Sequence, residues 1–460
     1  MLCYLKSIRK LRELKHLEIG ILDTQIPQVF EMFKHLIQLK YLKLVLAKGT
    51  GRLQNSKLHQ IPRFFKNFTS LENLTKLHLQ TGDSLVSENQ TIFLELLENL
   101  GNSEIQEMDI EIHLKNSYLP KNPSQGIKKF LGKLDSLGVY QTPETSVYYN
   151  LGKESSLRKS LTLVYFGVQQ ELDLKDYLGF CTSLKDLWIH CATKCVFISE
   201  NAVLSEELKA FRIRSFLPSK QAKIETTMNS LAGSKLQVFE MQLEDIDYIL
   251  VKKIAEVNQA LDPQEMNSFS LRTVFPRDSW VPGKNKEEPK KMLSSNSINQ
   301  LVQSLVPFKN LETLELHIGP QDQKFIKHIE YLLDSLPQLK IMDLDLRSID
   351  PELNNFKEKI PFYFAIEKML GLYFLRVKLP PAIWIENPEG FFERLASLKN
   401  IRHLELDSYH LIHIPQESIP KIISTLEKMR TFETLKIVHV PNPELQREFN
   451  LMIENKFSSS

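Results

Sequence analysis

Three cysteines and a histidine lie close together in the chain, at Cys181, His190, Cys191 and Cys195, and thiolate with imidazole is the donor set of a zinc site. Their spacing does not suit one. There is no C-x-x-C pair, and the four residues fall before, within and after a single strand-like stretch, so buried or loop thiols are expected. Lys48-Gly49-Thr50-Gly51-Arg52 has the residue types of a phosphate-binding loop but neither its spacing nor its Lys-Ser/Thr ending, and reads as a flexible insert. No G-x-S-x-G, H-E-x-x-H or Asp-rich calcium loop occurs. The expectation is a protein that is not an enzyme, with no metal and no other cofactor.

What remains able to do chemistry is recognition, by charged and aromatic side chains at alternate positions of short apolar stretches. The candidates for partner binding are Tyr41 and Lys43; Glu107, Asp109 and Glu111; Trp188; Arg212 and Arg214; and Phe374 with Arg376. Arginines and aromatic rings on a fixed scaffold tend to dominate binding energy. Glu107, Asp109 and Glu111 form an acidic rung; the next stretch in the chain offers Ser136, Gly138 and Tyr140, so the rung is expected to be uncompensated and to meet a basic partner. Asp343 and Asp345 are expected to be neutralised across the sheet by Arg376 and Lys378.

These residues are positioned by a phrase, L-x-x-L-x-L, seen in Leu39-Leu42-Leu44, Leu74-Leu77-Leu79, Leu184-Leu187-Ile189, Leu311-Leu314-Leu316 and Ile401-Leu404-Leu406. Its middle position marks about fifteen copies: Leu17, Leu42, Leu77, Met108, Leu137, Leu161, Leu187, Phe211, Phe239, Phe269, Leu314, Met342, Leu375, Leu404 and Leu435. Most spacings fall between 24 and 33 residues, and the two longer ones contain turn-rich inserts near 48–60 and 276–294. Period-two alternation at each phrase predicts a strand buried on one face. Between phrases the period becomes helical, as in Phe93, Leu96, Leu97 and Leu100, or Ile298, Leu301, Val302 and Leu305. Ser87 with Gln90 and Ser297 with Gln300 have capping-box spacing, and Gly101 is expected to end its helix in a left-handed conformation. Phe325, Ile329, Leu332 and Leu336 predict another helix, as do Phe391, Leu395 and Leu398.

One strand and one helix per unit, repeated, predict an α/β solenoid bent into an arc or horseshoe, with parallel strands on the concave face and helices on the convex one. The phrases resemble the leucine-rich repeat family, and spacing near 29 residues with true helices resembles its ribonuclease-inhibitor-like branch. The resemblance covers roughly residues 2–440 and implies a protein-binding role. It departs from the family in lacking the asparagine or cysteine that follows the phrase; Leu22, Ala47, Gly82, Gly319 and Arg347 stand there. The expected organisation is one irregular solenoid over 1–440, then a capping segment and tail over 441–460. The first repeat begins within about ten residues of Met1, and its front is expected to lack a polar cap, so that it docks on another protein or continues a longer product.

Lysine plus arginine number 58 against 56 acids, with no long block of one sign, which argues against nucleic acid and against a polybasic membrane surface. There is no run of apolar residues long enough to span a membrane and no signal-peptide core, and four cysteines are too few for a disulfide framework. The N-x-T sequons at Asn67, Asn73 and Asn89 are read as chance tripeptides, since glycosylation requires a signal peptide. The expectation is a soluble intracellular protein, cytoplasmic, acting as a scaffold or structural subunit of a hetero-complex with other proteins. The alternatives are an F-box-type ubiquitin-ligase substrate adaptor, which requires a longer chain, and a GTPase-activating regulator using Arg212 or Arg214.

Overall fold

A strand that returns to its neighbour through a helix can pair only in parallel, and this connection recurs along the chain. The computed structural model describes residues 11–22, 26–47, 71–81, 90–105, 107–115, 123–141, 161–167, 172–191, 196–199, 201–215, 221–243, 246–273, 293–318, 325–346, 360–362, 366–378, 383–385, 387–407, 418–428, 434–438, 447 and 451. The insert at 48–60, most of that at 276–294, residues 1–10, Ser87 and nearly all of 441–460 lie outside the described residues. The chain divides into two compact units, residues 1–231 and 232–460.

The first unit contains β1 (His16–Leu22), β2 (Tyr41–Ala47), β3 (Lys76–Thr81), β4 (Glu107–Lys115), β5 (Ser136–Gln141), β6 (Leu161–Gly167), β7 (Leu172–Asp173), β8 (Asp186–Cys191), β9 (Val196–Phe197) and β10 (Ala210–Ser215). They run parallel in the order β1-β2-β3-β4-β6-β5-β8-β10, with β7 and β9 as a separate parallel pair. The second unit contains β11 (Val238–Leu243), β12 (Ser268–Thr273), β13 (Thr313–His317), β14 (Ile341–Asp345), β15 (Ile360–Phe362), β16 (Phe374–Lys378), β17 (Ile383–Ile385), β18 (His403–Asp407) and β19 (Thr434–Val438). Its order is β11-β12-β13-β14-β16-β18-β19, again parallel, with β15 and β17 paired apart. The fold class is α/β with parallel strands, as the repeat predicts.

Every marker residue lies in a strand, and neighbouring markers face each other in register: Leu17, Leu42, Leu77 and Met108 in turn, then Leu137, Leu187 and Phe211. In the second unit Phe239, Phe269, Leu314, Met342, Leu375, Leu404 and Leu435 do the same. Leu161 breaks the rule. Strand β6 inserts between β4 and β5, and Thr162 rather than Leu161 takes the register of Ile110 and Leu137. A slip of one residue exchanges the two faces of a strand, so Leu161 and Leu163 hold the register of Asp109 and Glu111. The run Leu161-Thr162-Leu163-Val164-Tyr165-Phe166 is apolar on both faces, so its own pattern does not select one.

The helices bury the predicted stripes. Leu96, Leu97 and Leu100 are buried on the helix Gln90–Gly101, as are Ile298, Leu301, Val302 and Leu305 on Ser295–Leu305. Phe325, Ile329, Leu332 and Leu336, and Phe391, Leu395 and Leu398, are buried too. Two local expectations need correction. The helix over 295–305 is capped by Ser294, whose hydroxyl accepts from the Ser297 amide at 3.2 Å; Ser297 is already inside the first turn. Gly101 is not left-handed; Gly233 is the only glycine with positive φ among the described residues. A Cβ on Gly101 would lie 1.9 Å from the Gly126 carbonyl oxygen, so glycine is needed there for close approach to the helix Gln125–Gly132.

The turns ahead of the strands have a repeated solution for their carbonyls. The Lys40 carbonyl accepts from the amides of Thr75 and Lys76, that of Glu312 from Lys340 and Ile341, and that of Tyr373 from Arg402 and His403. Asparagine side chains add a second tie between neighbouring turns. Asn73 donates to the Ile37 carbonyl at 2.7 Å, Asn310 to Gln264 at 3.0 Å and Asn400 to Leu370 at 3.2 Å. Ser205 donates to Thr182 at 2.8 Å in the same way. A polar ladder therefore exists, but it precedes the phrase instead of following it. Replacing Asn310 with alanine removes one such tie and is expected to lower unfolding free energy by about 1 kcal/mol. Gly101→Ala forces a backbone clash and is expected to cost about 1–3 kcal/mol, both read from urea unfolding.

Candidate functional site

Period-two alternation turns one set of strand side chains away from the leucine core, and register then decides which of them meet. At β1 and β2 the His16 and Tyr41 rings stack with centroids 4.1 Å apart. Glu18 lies 3.3 Å from His16 Nε2 and 3.6 Å from Lys43 Nζ. Its carboxyl is held below the usual range, first by the His16 hydrogen bond; desolvation opposes this, and the charge and hydrogen bond of Lys43 and the charge of His16 add to the lowering. His16 and Glu18 are exposed, and Tyr41 and Lys43 half-buried.

The acidic rung is not uncompensated. Lys76 on β3 stands opposite Glu107, and their charged atoms are 2.6 Å apart. Asp109 pairs in register with His78 on that same side. The other neighbour is β6, not the β5 stretch of Ser136, Gly138 and Tyr140, so Asp109 and Glu111 stand beside Leu161 and Leu163. The expectation failed because it considered only the following strand, in chain order, and the preceding strand supplies the cation.

Strands β5, β8 and β10 bring three predicted residues together. Trp188 is in register with Gly138 on one side and Arg212 on the other, while His190 is in register with Tyr140 and Arg214. Arg212 Nη1 donates to both oxygens of Asp186, at 2.5 and 2.6 Å, and its guanidinium carbon lies 5.7 Å from the Trp188 ring centroid. Asp186 is buried and stands opposite Ala210, whose small side chain leaves room for the arginine to reach diagonally across the sheet. Sequence reading named Arg212 and Trp188 but missed Asp186 as the clamp; the Ala210 position is the signal that could have found it. The result is an aromatic ring and a guanidinium held in fixed geometry, with no side chain on the glycine beside the tryptophan.

The second unit's face is an ionic layer. Arg272 meets Glu315 at 2.5 Å, and Lys378 meets Glu405 at 3.4 Å. At the centre, Asp343 is only 3% exposed. Its Oδ1 accepts from Arg376 Nε at 2.6 Å and lies 2.9 Å from His317 Nε2, while Arg376 Nη2 bonds Oδ2. Nε2 of a neutral His317 bonds Asp343 only if it carries the proton, and Arg376 Nη2, 3.3 Å away, cannot then donate to it. Burial pushes the Asp343 carboxyl up, but the hydrogen bonds from His317 and Arg376 and their charges outweigh it, so its pKa falls below the ordinary value. Burial likewise pushes Arg376 down, and Asp343, Glu405 and Asp345 more than reverse this. The expected neutralisation between β14 and β16 is present for Asp343 and Arg376, so Arg376 is occupied within the sheet, while Lys378 pairs with Glu405 on β18. Phe374 stands beside it, in register with Ile341 and with its ring 6.0 Å from His403.

The cysteine and histidine group does not form a metal site in the described residues. Cys181 is buried, its thiol donates to the Tyr177 carbonyl at 3.4 Å, and burial pushes its pKa up to about 12, which disfavours the thiolate a metal needs. His190 and Cys191 lie in β8, Cys195 is outside the described residues, and no cluster of three potential ligands occurs among those described. No described helix is long and apolar enough to cross a membrane.

No known protein-family model matches the chain, and no curated protein sequence matches it. Solved structures with some likeness include the Rad7 and Elc1 complex in yeast, at 14% identity over 76% of this chain and 87% of that one, with a TM-score of 0.31. Another is the plant peptide hormone receptor RGFR1 in complex with RGF2, at 13% identity over 93% of this chain and 67% of that one, with a TM-score of 0.34. At these scores neither lends its partner to this chain.

Removing the Arg376 guanidinium leaves the buried Asp343 carboxylate with His317 as its remaining partner, so Arg376→Met is expected to lower stability by about 3 kcal/mol in urea at neutral pH. Because the folded pKa of Asp343 is depressed, its contribution is present above the unfolded value of about 4 and is lost as pH falls through the folded one. Asp343→Asn is therefore expected to flatten the acid limb of the stability profile relative to the parent chain.

Proposed function

We propose that the chain is a protein-binding scaffold and a subunit of a hetero-complex, which recognises its partner through the strand face of residues 1–231. The observation that carries this reading is the fixed Trp188–Arg212–Asp186 arrangement. Tryptophan and arginine supply most binding energy where they are found at interfaces, and a clamped side chain loses little entropy on binding. Tyr140, His190 and Arg214 share the neighbouring register row, which extends the same residue types along the face. Tyr41 and Lys43, stacked and paired with β1, supply a second part of it. Membership of the ribonuclease-inhibitor-like branch and a cytoplasmic place of action belong to this proposal, supported by the helix in the repeats and by the chain's composition.

Affinity purification of the full chain with crosslinking tests the reading. A captured protein is expected to crosslink to Lys185 or Lys209, the lysines that immediately precede β8 and β10. Trp188→Ala is expected to reduce its recovery by about tenfold while leaving the melting temperature nearly unchanged. A chain recovered alone, or crosslinks that avoid this face, would refute it.

A further inference from the structure

Outside the strand face, the described residues of the second unit expose large apolar side chains at the start of the helix Tyr248–Ala260, at Tyr331, and most strongly in the turn between the short 3-10 helix Ile366–Lys368 and β16. Leu370 is 71% exposed and Tyr373 37%. The backbone beneath them is already satisfied: the Leu370 carbonyl accepts from Asn400, and that of Tyr373 from the amides of Arg402 and His403. The turn thus offers apolar surface, with no free ladder for an added strand. It continues onto the face through Phe374, which is aligned with Ile341 and His403.

Charge surrounds this patch with a bias. The turns leading into β13, β14, β16 and β18 carry Lys309, Lys340, Lys368, Lys399 and Arg402 against Glu312, Asp334 and Glu367, five basic residues to three acidic. Lys340 pairs with Glu312 at 2.6 Å, and Lys368 with Asp334 at 2.6 Å, each half exposed on both sides. Such pairs are weak and exchange partners readily. Lys399 is exposed and meets no acid among the described residues. The Lys340 stem lies against the turn, its Cγ 3.5 Å from where a Cβ on Gly371 would be, while its ammonium reaches Glu312.

We propose that this edge docks an acidic segment of another protein whose two apolar side chains, spaced to cover Leu370 and Tyr373, are flanked by aspartate or glutamate. Binding replaces the contacts of Glu312 and Asp334 with those of the incoming carboxylates and buries the exposed leucine. A lipid surface fits less well, because two exposed apolar side chains on one turn offer too little area for stable insertion among lipid chains. The site is separate from the Trp188 face and does not depend on it.

The test is selection from an unbiased library of random dodecapeptides on the immobilised full chain, with fluorescence anisotropy of the enriched sequences. Enriched peptides are expected to pair apolar residues with flanking Asp or Glu, to weaken about tenfold against Leu370→Ser and against Lys399→Glu, and to keep their affinity for Trp188→Ala. Leu370 is exposed, so its serine variant should melt at the parent temperature, which separates lost docking from lost folding. Three results would overturn the proposal. They are absence of enrichment, enriched peptides without an acidic bias or indifferent to Leu370→Ser, and co-sedimentation with phosphatidylserine vesicles that Leu370→Ser abolishes in the absence of peptide binding.

Discussion

Marker residues of successive repeats face one another across parallel strands, and this register is the constraint from which the other features follow. Side chains alternate between the faces of a strand, so a shift of one residue would expose each leucine and bury each charge. The Phe239-to-Leu435 row shows the register kept through seven strands, and the burial of Leu314, Met342 and Leu375 shows what holds it there. The turns reinforce it, because Asn73, Asn310 and Asn400 tie their repeats to the one before at a fixed distance from the strand. Hydrophobic burial sets which face points inward, and the turn bonds set where each strand begins.

Once register is fixed, the polar face is determined as well. Asp343 and Arg376 occupy the same level of adjacent strands, and so their pairing is a consequence of the alignment of the core residues Met342 and Leu375. The same holds for Lys76 and Glu107. Arg212 and Arg272 reach diagonally instead, to acids two residues earlier in the neighbouring register. Both faces close charges on each other, and they differ in what stands beside the pairs: Asp343 is shared between Arg376 and His317 in the second unit, whereas the Arg212–Asp186 pair of the first lies beside the Trp188 ring.

The strands were legible in the sequence because both of their periods are strong, and so were the helical stripes, whose leucines are buried where they were expected. Three things were not legible. Leu161 was assigned to the core because a run apolar on both faces gives no periodic signal, and its register is set by two neighbours that sequence order does not reveal. The acidic rung at Glu107 was taken as unpaired because pairing belongs to strand neighbours on both sides. The ladder of Asn73, Asn310 and Asn400 was overlooked because it was sought after the phrase, although each asparagine stands directly before a phrase leucine or isoleucine. Of the candidate binding residues, Trp188 and Arg212 come together, Arg376 is taken up by Asp343, and Glu107 by Lys76.

The central claim is that recognition belongs to the Trp188 region, while the ionic layer around Asp343 serves the fold. Hydroxyl-radical footprinting of the full chain, alone and with its captured partner, tests this at the side chains themselves. The account predicts that Trp188 is oxidised in the free protein and protected in the complex, with His317 equally labelled in both. Protection of His317 together with unchanged oxidation of Trp188 would contradict it.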